Sequence, residues 1–331
     1  MSLIPPGDIP ALVAEVSQSP SVHNVQPARW RFDGDMVILF EDTTRRIPAG
    51  DPTGRDTRTS LGSAIEGLTL ALSHRGLGLE AVPLPELAAL PVHILPIKAF
   101  RITEGAADDP LHRVMAERWS YRGAFARVTP EDRAAATALT GDDIAVLSGP
   151  ETLRRVGAVY DAASLRFFRD PAFRAELVSW MRLSRDDENW ALDGLNAEAM
   201  ALSPIEATGA GIVLGPKMFP LLDRVGLAGP LTAESAKVTG AAAVLVLHRP
   251  ADEDGLATGR AFHRAWLRFT AAGFSGAVMA ALADDDDARA TLAELTGLPE
   301  GRRIVTTFRI GRSAGAKRPQ RARLNPADLL V

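Results

Sequence analysis

The chain has 331 residues, of which 46% are hydrophobic and 24% charged, with a formal net charge of −4 and no cysteine. Such values describe an ordinary globular protein with ample core, built as one large domain or two fused ones. They exclude disulfides, thiolate metal sites and cysteine nucleophiles, and the mild negative charge argues against general nucleic-acid binding.

Ile9 to Ser17 has the spacing of a two-turn helix. It feeds the stretch Ser19-Pro20-Ser21-Val22-His23-Asn24-Val25-Gln26-Pro27-Ala28-Arg29-Trp30, too polar for a core strand and too broken by Pro20 and Pro27 for a helix interior. Ser, His, Asn and Gln together offer donors and acceptors to a planar polar ligand, although Ser21 and Asn24 could equally bond their own backbone. Arg29 to Phe40 reads as a hairpin turning at Asp33-Gly34-Asp35. Arg45 to Ser60 is polar and turn-rich, and from Leu61 a helical period runs to a cap at Gly76. Val92 to Ile102 is strand-like, with Pro96 marking it as an edge or bent strand.

A helix is expected to start near Leu111 and to run into Arg118-Trp119-Ser120-Tyr121-Arg122. Thr129-Pro130 is a helix start, Asp143 to Leu147 a short strand, and two helices are expected over Glu151 to Arg169 and Pro171 to Leu183. From Ser184 to Ser235 the pattern loosens, as it does in lids and binding loops. Ala241 to Leu247 reads as a strand and Leu256 to Ala272 as a strong helix stopped by Gly273. Ser275 to Ala283 and Asp287 to Leu295 are expected as helices, and Ile304 to Ile310 as the last strand. The order is neither regular βαβ nor all-β, so the fold class is α+β.

Arg118-x-Ser120-x-Arg122 places two guanidinium forks around a hydroxyl, an arrangement suited to a phosphate or carboxylate. The basic tail from Ala316 to Arg323 has the composition of a solvated terminus. Yet the strand before it should be buried, and Arg321 and Arg323 alternate as residues facing one ligand would. The six histidines lack metal-ligand spacing, Gly273-Phe274-Ser275-Gly276 lacks the full nucleophile elbow, and no phosphate-binding glycine loop is complete. No apolar run approaches the ~20 residues of a membrane span and no secretory signal is evident, so a cytoplasmic protein is expected.

Together the three stretches resemble the nitroreductase family, whose members hold FMN at a dimer interface. Arg118, Ser120 and Arg122 match that family's Arg-x-Ser-x-Arg element. Pro20, Ser21, Asn24, Gln26 and Pro27 match its Pro-Ser-x-x-Asn-x-Gln-Pro loop, and Arg321 with Arg323 its C-terminal basic pair. The usual order is reversed, because here the loop precedes the Arg-Ser-Arg element by about a hundred residues. This resembles the tandem branch typified by the mycobacterial Acg-type proteins, in which two halves are fused into an intrachain pseudo-dimer.

The resemblance implies a nitroreductase-like α+β fold in two halves, 1–105 and 106–331, each a sheet flanked by helices, with a possible lid over 184–235. It implies one FMN site made by Pro20, Ser21, Val22, Asn24, Gln26, Arg118, Ser120, Arg122, Arg182, Ser275, Gly276, Arg321 and Arg323, with Ser179 as a further substitute at the pyrimidine edge. Ala28 stands where the family usually has Trp, and Val22 where Ser is frequent. NAD(P)H is the implied reductant and a small electrophile the implied acceptor. No catalytic side chain or metal is required, because a flavin carries out hydride transfer itself. The chain is expected as a monomeric pseudo-dimer or weak homo-oligomer. A non-catalytic FMN-binding protein with a lidded site, and a phosphate-ligand module without flavin, are the alternatives.

Overall fold

The computed structural model describes residues 2–313 and 315–331. In the first half, α1 (Ile9–Val16) leads into the strands β1 (Ala28–Asp33) and β2 (Met36–Asp42), joined at Gly34, whose φ of +57° suits a two-residue hairpin turn. Then come α2 (Arg55–Ser73), β3 (Leu77–Val82) and β4 (Ile94–Glu104). The four strands form an antiparallel sheet in the order β1-β2-β4-β3. One face packs Trp30, Val37, Leu39, Phe100 and Ile102 against Leu12, Val16, Leu61, Ile65 and Leu68 of the two helices.

The second half runs α3 (Pro130–Thr137), β5 (Ile144–Leu147), α4 (Pro150–Arg169), α5 (Pro171–Ser179) and the two-residue strands β6 (Met181–Arg182) and β7 (Leu195–Asn196). It continues through α6 (Pro204–Val213), α7 (Met218–Arg224), α8 (Ala228–Thr232) and α9 (Ser235–Thr239) to β8 (Ala243–Pro250) and α10 (Gly255–Ala271). Last come β9 (Ser275–Val278), α11 (Ala281–Asp284), α12 (Asp286–Thr296) and β10 (Arg302–Gly311). The second antiparallel sheet has the order β5-β8-β10-β9. It is covered on both faces, which explains the unbroken apolar run of β8. Leu245 and Leu247 meet Phe262, Trp266 and Phe269 of α10, while Val244 and Val246 meet Leu153 and Val156 of α4 and Leu292 of α12. The architecture is the expected α+β arrangement of two sheets with flanking helices.

The halves meet where α2 lies against α10. Gly62 and Gly259 touch backbone to backbone, and a Cβ on Gly62 would stand 2.2 Å from the Leu256 carbonyl oxygen. Ser63 Oγ donates to the Gly259 carbonyl at 3.0 Å, and the buried Glu66 carboxylate takes Arg260 at 2.8 Å and Arg264 at 2.7 Å.

Several elements differ from the sequence reading. α2 begins six residues earlier than its apolar period, at Arg55, because the Asp51 carboxylate accepts from the Asp56 and Thr57 amides. Of the two readings for β4, an edge or a bent strand, the structure takes the second: β4 is flanked on both sides, and Pro96 is accommodated where its pairing with β2 slips, between Leu39↔Lys98 and Phe40↔Pro96. No helix runs from Leu111 into Arg118. A single 3₁₀ turn, Pro110–Val114, precedes an extended segment in which Ser120 bridges Gly276. Ser275 to Ala283 is not a helix either, because Ser275–Val278 pairs with the end of β10 and only Ala281–Asp284 coils. Residues 184–235 hold the short helices α6 to α8 and the start of α9 rather than one irregular loop.

Candidate functional site

A cavity of about 430 Å³ lies between the halves. Its walls come from the Pro20–Asn24 loop, the start of α2, the 118–122 segment, α4, α5, residues 194–199, α10, and the C-terminal tail at 318–323. Phe262, Trp266, Phe167 and Phe173 give it aromatic walls among a mixed polar and apolar lining. Such size and lining suit a flat organic ligand.

One end is strongly cationic. Arg118, only 4% exposed, lies over the Trp266 ring at 4.6 Å and donates to the Gln18 carbonyl at 2.7 Å. Arg321 donates to the carbonyls of Ala116 and Arg118 and to the Gln18 side chain, and Arg323 donates to Asn24 Oδ1 at 2.7 Å. Among the described residues none of these three, nor Arg122, forms an ion pair with a carboxylate. The Nε groups of Arg118 and Arg323 are buried without a partner. Burial, then repulsion by Arg321 and Arg323, holds Arg118 well below its ordinary value. Burial and Arg318 lower Arg321 to about 10, and burial and Arg321 lower Arg323 to about 9. The His263 ring, bonded to the Ser63 carbonyl at 3.0 Å, is lowered to about 3 by burial and the neighbouring Arg118 and is neutral. Buried cations without counter-charge are costly, so a cluster of them is a site for an anion.

Among the residues singled out in the sequence, Pro20, Ser21, Val22, Asn24, Arg118, Ser120, Arg122, Arg321 and Arg323 all line this one cavity. Segments up to three hundred residues apart are therefore brought together. Asn24 lines it with its side chain already committed, donating to the carbonyls of Gly194 and Ala322 and accepting from Arg323. Six of the residues singled out, Gln26, Pro27, Ser179, Arg182, Ser275 and Gly276, do not reach the lining. Gln26 instead holds the tail, donating to the Leu192 carbonyl at 2.8 Å and accepting from the Leu324 amide at 3.0 Å. Arg182 is buried against Asp193 at 2.7 Å. Ser275 Oγ accepts from the Trp119 indole and the Gly276 carbonyl accepts from the Tyr121 amide, so both position the 118–122 segment from behind. Ser179 also lies off the lining, bonded to the Glu176 carbonyl.

The sequence reading counted His23 among the donors and acceptors of the loop but did not assign it to the site. His23 lines the cavity in a left-handed backbone conformation, φ +43°, followed by Asn24 at +57°. Its Nδ1 is buried without a partner, and burial, with Arg122 close by, lowers it to about 4. Its place inside the conspicuous loop was the available signal. Asp56, Asp284 and Thr306 line another end of the cavity and had no motif to mark them.

No family model matches the chain. Over 165 residues it is 27% identical to "Putative NAD(P)H nitroreductase Rv3131" of Mycobacterium tuberculosis, a match covering 49% of this chain and 48% of that protein. Over 186 residues it is 28% identical to "Putative NAD(P)H nitroreductase acg" of the same species, covering 52% and 53%. The chain is similar in sequence to mycobacterial proteins named as putative NAD(P)H nitroreductases. It spans about half the length of these relatives. Among solved structures it overlaps an FMN-bound nitroreductase of Bacteroides fragilis with a TM-score of 0.34 and 15% identity, over 64% of this chain and 92% of that one. The Mycobacterium smegmatis nitroreductase NfnB, in complex with NADPH, gives a TM-score of 0.34 and 19% identity over 61% and 86%.

Proposed function

We propose that this chain is an FMN-dependent oxidoreductase that takes electrons from NAD(P)H and passes them to a small electrophile. The observation that carries the reading is the cluster of Arg118, which is buried, with Arg321 and Arg323, which are half-buried: three guanidinium groups line one cavity, and among the described residues no carboxylate pairs with them. A phosphate monoester fits that need, since it supplies two negative charges and several acceptor oxygens to orphaned N–H groups. The sequence likeness to proteins named as nitroreductases points the same way.

In this reading Arg118, Arg321 and Arg323 hold the phosphate. Ser21, Ser120 and Arg122 offer polar contacts to the rest of the cofactor, and Phe262, Trp266 and Phe167 wall off water. Asn24 and Gln26 act indirectly, fixing the tail that carries Arg321 and Arg323. Bound FMN would supply the hydride chemistry, while the chain orients it and controls access. Residues 194–199 cover one side of the cavity, and the 184–235 segment is read as its lid.

The test is a titration of the flavin-free chain with FMN, followed by the visible spectrum and then mixing with NADH or NADPH. Binding with bleaching of the spectrum by either reductant is expected. Binding without reduction would favour a protein that only stores the cofactor. No binding would leave a site for some other phosphate ligand.

A further inference from the structure

The cavity has a second polar end away from the arginine cluster. Asp56, in the first turn of α2, and Asp284, the last residue of α11, both line it. Arg55 pairs with both, at 3.4 Å from the Asp56 carboxylate and more closely with Asp284. One guanidinium thus stands between two carboxylates. Asp51, before α2, adds a third negative charge that is already engaged with the amides of Asp56 and Thr57. Arg289 of α12 acts on Asp284, and Arg303 of β10 acts on Arg55. Burial and then repulsion by Asp284 push Asp56 up to about 6, and burial pushes Asp284 up as well. A carboxyl poised there can give and regain a proton near neutral pH.

A hydroxyl gives an independent sign of a ligand. Thr306 is only 6% exposed, lines the same cavity, and its Oγ1 has no partner. The pairing of β10 with β8 slips between Ile304 and Thr306, a bulge of the kind that re-aims side chains beside sites. A buried, unpartnered hydroxyl calls for a polar atom that a ligand would bring. None of Arg118, Arg321 and Arg323 is among the charges that act on Asp56 or Asp284, so the acidic group is electrostatically distinct from the cationic one. Asp56 lies two turns of α2, about 10 Å, before Ser63, whose carbonyl meets His263 beside Arg118.

We propose that Asp56, shared with Asp284 through Arg55 and helped by the Thr306 hydroxyl, is the proton donor to the oxygen of a small neutral quinone-class acceptor bound at this end of the cavity. The proposal rests on the oxidoreductase reading above. Two carboxyl groups repel an anionic acceptor, whereas a neutral carbonyl oxygen accepts hydrogen bonds from Thr306 and protonated Asp56. Reduction of a quinone to its hydroquinone takes two electrons and two protons. A hydride from the reduced nucleotide or flavin brings both electrons and one proton. The Asp56 O–H bond breaks as the new O–H bond forms, and solvent returns the proton to the carboxylate.

The test compares the FMN-loaded parent with Asp56→Asn, Asp56→Glu and Asp284→Asn, using benzoquinone as acceptor and stopped-flow reading of reoxidation on either side of pH 6. The parent rate should fall as pH rises through about 6. Asp56→Asn should slow reoxidation on the order of 10²-fold and flatten the profile, with flavin content and reduction by NADPH unchanged. Asp56→Glu should restore a pH-dependent rate, and Asp284→Asn should move the inflection to lower pH. Parent-like rate and profile in Asp56→Asn would overturn the assignment. If the chain holds no flavin, the cofactor reading fails, and infrared titration of the ligand-free chain decides about Asp56. A protonated-carboxyl band that titrates near pH 6 and is lost in Asp56→Asn supports it, and the lack of such a band in the parent overturns it.

Discussion

Arg323 donates to Asn24 Oδ1 at 2.7 Å, tying the C-terminal tail to the first loop across 299 positions of sequence. Asn24 in turn donates to the Ala322 carbonyl, and Gln26 accepts from the Leu324 amide. The loop and the tail are therefore one structure. Asn24→Ala should release Arg323 from the cavity and weaken anion binding several-fold, although Asn24 has no side-chain group left for a ligand. Titration with FMN or inorganic phosphate checks this; unchanged affinity for both would mean that the tail is held by other contacts.

Arg118 should trade stability for binding. It is buried beside two other cations and has no carboxylate, so its charge opposes folding until an anion arrives. Arg118→Met keeps apolar contact with Trp266 and removes the charge. The ligand-free variant should melt at or a few degrees above the parent. Its affinity for FMN should fall at least about tenfold, as expected for loss of a charge-assisted hydrogen bond of ~1.5–3 kcal/mol. Thermal denaturation with and without FMN separates the two effects.

Anion affinity should also carry the titration of the tail. Arg323 and Arg321 are lowered to about 9 and about 10, so each holds its charge at neutral pH and loses it as pH rises through those values. Binding of inorganic phosphate should strengthen just above neutrality as its second proton leaves, and weaken again above about pH 9. Calorimetric titration across that range is the check.

Acid should destabilise the fold through its buried histidines. His263 and His23 are lowered to about 3 and about 4, against 6.5 when unfolded. Below pH 6.5 the unfolded chain therefore binds protons that the folded chain refuses, and stability falls until the folded values are reached. Above pH 6.5 this penalty vanishes. For His263 it approaches about 1.4 kcal/mol per pH unit below 6.5. His263→Gln should flatten the fall in urea midpoint between neutral pH and about 5 relative to the parent.

Where Gly62 and Gly259 meet, the seam between the halves has no room for a side chain. A methyl group on Gly62 would meet the Leu256 carbonyl oxygen at 2.2 Å and one on Gly259 the Thr59 carbonyl oxygen at 2.2 Å. Gly62→Ala should lower stability by about 1–3 kcal/mol, the usual cost of overpacking, and disturb the cavity between α2 and α10. Urea unfolding gives the first effect and FMN titration the second.

What the sequence revealed and what it hid have physical causes. Elements with a single apolar period, such as α10 and β8, were legible because burial alone dictates them. α2 was read six residues short because its first turns face the cavity and carry Asp56, Thr59 and Ser60, which break the period. Ser275–Val278 was read as helix because small residues suit either state and the edge of β10 decides between them. The arginines of the site stood out because charged residues with no acid among them are visible as composition. Arg182 looked the same in sequence, and only the fold supplies its partner, Asp193. Asp56 and Thr306 come from unrelated segments, so no motif could have paired them.

Native mass spectrometry of the chain reconstituted with FMN tests the single fused site most directly. One flavin per chain is expected, lost or strongly reduced in Arg118→Met. Two flavins on one chain, or none at saturating FMN, would contradict it.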